Sequence, residues 1–65
     1  MRRKETDLEM VRRHVRQGAL QVTRQFRRVA ELRADGQPTE VAEQLLATFE
    51  ESQHLHEAHL ARLEG

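Results

Sequence analysis

The side chains of this 65-residue chain best suited to chemistry are four histidines, at positions 14, 54, 56 and 59. His56 and His59 stand three apart, so a helix presents both on one face. His14 belongs to a separate stretch of helical pattern. If the two stretches pack side by side, His14, His56 and His59 are candidate ligands that could bring three imidazoles to zinc or another divalent ion. Glu51-Ser52-Gln53-His54 has the Glu-x-x-His spacing of di-iron bundles. A helix turns His54 away from the His56 face, however, and the first stretch has no carboxylate at that level. The competing use of the same residues is structural: His56 and His59 would form a polar layer with Gln53 and Gln25 that fixes helix register, with His14 and His54 facing solvent. On that reading the protein takes no metal and no cofactor. Nor is an enzyme expected, since there is no cysteine and the three glycines, at 18, 36 and 65, are too scattered to form a phosphate loop.

The second set with chemical potential is cationic. Arg12, Arg13, Arg16, Arg24, Arg27 and Arg28 could form a ridge for nucleic-acid phosphates, although no aromatic residue stands among them for base stacking. The zero net charge hides a division: residues 1–33 hold ten Lys/Arg and four Asp/Glu, and residues 34–65 hold one Arg and seven Asp/Glu. A basic first half lying antiparallel to an acidic second half satisfies this division without any ligand, and it disfavours contacts between like helices.

The elements that position these residues are set by Asp35-Gly36-Gln37-Pro38-Thr39, the only interior cluster of turn formers. Gly36 suits the left-handed end of one helix, Pro38 the first turn of the next, and Gln37 and Thr39 offer capping oxygens. A connection this short makes the two helices antiparallel. The fold class expected is all-α, a two-helix hairpin over residues 6–65: a helix at about 6–34, a turn at 35–38 and a helix at about 39–63, preceded by a basic tail at 1–5 that carries no periodicity. Thr6-Asp7-Leu8-Glu9 has the spacing of a capping box. Leu8, Val15, Val22 and Val29 recur every seven residues, with Val11, Gly18, Gln25 and Leu32 between them, as in a coiled-coil seam. Ala19 and Phe26 widen that stripe. In the second helix Val41, Ala42, Leu45, Leu46, Phe49, His56, Leu60 and Leu63 share a broad face. Pairing residues equally far from the turn sets Val29 against Leu45, Gly18 near His56 and Val15 against His59. The turn half of the hairpin is then apolar and the histidine half more polar, hence less stable.

A hairpin of this size buries little. Ordering 65 residues costs roughly 100 kcal/mol at about 1.5 kcal/mol each, more than one helix pair readily offsets. Self-association is the expected remedy, most simply a homodimer forming a four-helix bundle. Val15, Val22, Phe26, Val29, Leu45, Leu46, Phe49, Leu60 and Leu63 are the candidates for its core and interface. The longest apolar run, Leu45-Leu46-Ala47, is too short for a membrane span or a signal-peptide core. A cytoplasmic protein that contacts no membrane is expected. It would act as a non-enzymatic interaction or regulatory module with a protein partner, with RNA binding by the first helix and a histidine metal site as alternatives.

Arg13-His14-Val15, Val22-x-Arg24-Gln25, Asp35-Gly36, Leu45-Leu46-Ala47-Thr48-Phe49-Glu50 and His56-x-x-His59 together resemble a set of small, mostly uncharacterised alphaproteobacterial helical-hairpin proteins. The resemblance spans nearly the whole chain and implies the hairpin, but no activity. In architecture alone the hairpin is also similar to Rop-like proteins, which pair as antiparallel four-helix bundles and bind RNA along their first helices.

Overall fold

The computed structural model describes residues 4–65 and consists of two antiparallel helices, α1 (Asp7–Ala34) and α2 (Glu40–Glu64). The fold is an all-α hairpin. The expected basic tail falls mainly on residues 1–3, which lie outside the described residues. Glu5, the last tail residue, is tied back to α1, where the Arg13 guanidinium donates to both its carboxylate oxygens at 3.0 and 3.1 Å.

Each boundary has a local cause. Thr6 caps α1: its hydroxyl accepts from the Glu9 N–H at 3.1 Å, while the Glu9 carboxylate accepts from the Thr6 N–H at 3.1 Å. This is the complete reciprocal capping box. At the other end Gly36 adopts φ 69°, and the Gln37 and Gly36 N–H groups donate to Leu32 O at 2.8 Å and Arg33 O at 3.1 Å. Those two bonds make a Schellman motif, which a residue with a Cβ enters only at a steric cost. The start of α2 departs from expectation. Pro38 precedes the cap instead of occupying the first turn, and Thr39, the N-cap, makes no side-chain capping bond. With φ −114° and ψ −5°, Thr39 has near-helical backbone, unlike the extended Thr6 whose hydroxyl reaches back over its helix.

The helices meet along one seam. On α1 the eight positions from Leu8 to Leu32 at alternating three-four spacing are all buried or half-buried. On α2 the corresponding series is Ala42, Leu46, Phe49, Gln53, His56 and Leu60. Among the described residues only Val11 and Val29 of the apolar side chains are buried, at 2% and 5% exposure, and none is sealed completely. The Cα trace extends 49 × 28 × 13 Å, a layer one helix thick. No helix among the described residues is long and apolar enough to cross a membrane.

Candidate functional site: the two flanks of the seam

The register of the hairpin is held by two glutamines, each of which crosses to the backbone of the opposite helix. Gln25 Nε2 donates to Ala42 O at 2.9 Å, and Gln53 Nε2 donates to Val15 O at 2.8 Å. Gln53 is 8% exposed, and its neighbour is Gly18, where a Cβ would fall on Gln53 Oε1. Equal counting from the turn had set Gly18 beside His56 and Val29 against Leu45. Gly18 and His56 do line the same hollow, but the side chain that fills the space at Gly18 is Gln53, three residues earlier, and it is Leu46 that enters the seam while Leu45 stays 43% exposed. The physical reason is that Gln53 Nε2 donates to the Val15 carbonyl, which holds the side chain in the seam, and its three-four spacing from Phe49 and His56 continues the series.

The histidines divide between the flanks. His14 and His56 stack obliquely, ring centroids 5.4 Å apart and planes at 34°, beside a hollow of about 270 Å³ that Leu20, Gln21, Phe49 and Ser52 also line. His59 is exposed and absent from that hollow, and His54 lines a second hollow on the opposite flank. Among the described residues no three His, Asp or Glu side chains are placed to hold a metal ion. The polar layer therefore consists of Gln53 and the His14–His56 pair, with Gln25 nearer the turn. Within it Gln53 Oε1 and His56 Nδ1 are buried without a hydrogen-bond partner.

The six arginines do not share one environment. Arg12 pairs with Glu64 at 3.1 Å, Arg13 with Glu5 at 3.0 Å and Arg28 with Glu31 at 3.9 Å. Arg16, Arg24 and Arg27 are exposed and have no carboxylate partner among the described residues. Arg33, outside the expected ridge, closes a pair with Glu43 at 2.6 Å. The hydrogen bond from Arg13, followed by the attraction of its charge, holds the Glu5 carboxyl below its ordinary value of 4.5, and the same bond raises Arg13.

The candidate interface residues also separate. Val15, Val22, Val29, Leu46, Phe49 and Leu60 lie in the seam, whereas Phe26 is 66% exposed and Leu45 and Leu63 stand at its margins. Relative to the seam, Ala19 and Phe26 fall on one flank of the layer and Val41 and Leu45 on the other, by helical phase. In the sequence Ala19 and Phe26 widen the stripe of the first helix, and Val41 and Leu45 belong to the broad face of the second, with no sign of which flank each takes. A hollow lies on each flank: Ala19 lines one together with Glu50 and Glu57, and Gln21 and Ser52 line the other. Set against protein-family models, curated proteins and solved structures, the chain matches none.

Proposed function

We propose that this chain is a non-enzymatic helical module that acts by associating with itself, most simply as a dimeric four-helix bundle, and through that assembly with a protein partner. The observation that carries this reading is the surface the single hairpin leaves uncovered. It exposes 5459 Å², whereas a compact monomer of its 7.6 kDa exposes about 4,300 Å² by surface-to-mass scaling. The excess includes Leu20, Phe26, Val41, Leu45, Leu55 and Leu63, and such surface favours association. Both hollows are open grooves along a helix pair, poor enclosures for a substrate.

Thermal melting at increasing protein concentration tests the reading. A chain whose fold is coupled to dimerisation melts at higher temperature as concentration rises, by mass action. A midpoint independent of concentration, with a folded monomer throughout, would contradict it.

A second reading is favoured by Arg16, Arg24 and Arg27 of α1, which have no carboxylate partner among the described residues. They are positioned to take nucleic-acid phosphates. A mobility-shift titration with mixed RNA and DNA would then show binding that weakens steeply between low and moderate salt. Absence of a shift at low salt removes this alternative.

A further inference from the structure

One flank of the hairpin carries an ion-pair ladder with its two middle rungs missing. In the seven-residue frame of the seam, α1 presents Arg12, Ala19, Phe26 and Arg33 on this flank, and α2 presents Glu43, Glu50, Glu57 and Glu64. The outer rungs close, Arg12 with Glu64 at 3.1 Å and Arg33 with Glu43 at 2.6 Å. At the inner rungs Ala19 and Phe26 stand where arginines would complete the ladder. Glu50 and Glu57 consequently have no cation partner among the described residues. Between them runs a hollow of about 340 Å³, whose lining includes Ala19, Val22 and Thr23. His54 lines it as well; the adjoining phase carries the small residues Ala30, Ala47 and Ala61 together with Arg16, and Phe26 stands beside it at 66% exposure. The opposite flank has exposed Val41, Leu45 and Leu55, but Gln21, Arg28, Ser52 and His59 run along its middle, so a partner there would strip water from polar groups with nothing offered in return.

Resting on the self-association just proposed, we infer that the Ala19–Phe26 flank receives a second copy of this chain, with α1 of each copy lying over α2 of the other. Two face-to-face arrangements have two-fold symmetry. With the axis across the helices, α1 lies on α1 and α2 on α2, so Glu50 and Glu57 meet their own counterparts. With the axis along the helices, α1 lies over the second copy's α2 and each residue keeps its level. Charge decides between them: α1 has seven arginines and three acids, and α2 one arginine and six acids. The second arrangement alone sets opposite charges together. It brings Arg16, which has no carboxylate partner among the described residues, within reach of Glu57 of the second copy, and sets the Phe26 ring over the small Ala47 beside Glu50. A helical side chain leans toward its own N-terminus, which carries that ring toward the hollow. A layer measuring 49 × 28 Å has room for the roughly 800 Å² per partner of a stable interface.

Sedimentation equilibrium of six proteins tests this: wild type, Phe26→Arg, Leu45→Arg on the opposite flank, Arg16→Glu, Glu57→Arg, and the double Arg16→Glu/Glu57→Arg variant. Phe26→Arg completes a rung within the chain and removes the projecting ring, so dissociation should weaken the dimer about tenfold or more, as for an interface anchor, with Leu45→Arg close to wild type. Either charge reversal alone should also weaken the dimer, and the double variant should recover it. A Phe26→Arg dimer as tight as wild type, with Leu45→Arg monomeric, would place the interface on the other flank and overturn the inference while self-association stands. Failure of the double reversal to recover the dimer would overturn the α1-over-α2 arrangement. A monomeric wild type would overturn the proposed function itself.

Discussion

Gln53 is the residue on which the hairpin's register turns, and a reading of apolar periodicity passes over it because it is polar. The companion signal was legible: a glycine inside a helix needs a reason, and Gly18 pointed to a large neighbour. It was the neighbour's identity that needed coordinates, since His56 and Gln53 are one helical turn apart and both follow the three-four pattern. The pair makes a specific prediction. Gly18→Ala improves helix propensity by about 1 kcal/mol, but its Cβ overlaps the Gln53 carboxamide, and overpacking a filled site costs about 1–3 kcal/mol. Because Gln53 is held by its bond to Val15 O, the clash should prevail, with a net loss of about 1 kcal/mol. Truncating the clashing side chain in Gly18→Ala/Gln53→Ala should make the alanine at 18 favourable again. Denaturant melts of the four proteins check this, and a stabilising Gly18→Ala in the wild-type background would mean that the glutamine swings aside freely. At the chain start, Glu5 offers a pH prediction. Its carboxyl is held below 4.5 by the hydrogen bond from Arg13, so its contribution is present above that value and is lost as pH falls through the lower, folded-state value. The group is fully exposed, and the effect should be local. Protection of the first-turn amides of α1, taken relative to their intrinsic exchange rates, should fall in wild type as pH drops through the lowered Glu5 value, whereas in Glu5→Gln it should already be low at neutral pH and should not respond to acid in that range.

The elements were legible where their ends have strong local chemistry. The Thr6 capping box and the Gly36 turn follow from residue types at fixed offsets, and the valine repeat of α1 gave the seam in full. The face of α2 was harder to place because Val41-Ala42 and Leu45-Leu46 put apolar residues on adjacent positions, and hydrophobicity alone does not say which of each pair turns inward. The structure turns in Ala42 and Leu46. At the turn, Gly36→Ala must hold φ 69° with a Cβ, a strain of roughly 1–2 kcal/mol, though nothing lies within 4 Å of the added atom. A midpoint unchanged by this substitution would show that the Schellman turn relaxes to another form. Among the described residues the buried atoms without a hydrogen-bond partner, Gln53 Oε1 and His56 Nδ1, lie in the histidine half of the hairpin, each a penalty of about 1–3 kcal/mol where no partner is gained. Amides of residues 53–60 should therefore exchange faster than those of residues 42–49, as judged by native-state hydrogen exchange. The reverse order would locate the weak half at the turn.

For the whole molecule, the division of charge between the halves was plain in composition, and the structure shows it at work in the Arg12–Glu64 and Arg33–Glu43 pairs. What composition could not show is that the ladder stops in the middle, because that depends on which residues share a flank. Among the described residues the single layer buries only Val11 and Val29 of its apolar side chains, and the central claim is that a second layer completes the core. Sedimentation equilibrium across the micromolar range, with helicity followed by circular dichroism in the same samples, tests it most directly. The prediction is a species of twice the protomer mass whose dissociation on dilution is accompanied by loss of helix. A fully helical species of single protomer mass at every concentration would contradict the account.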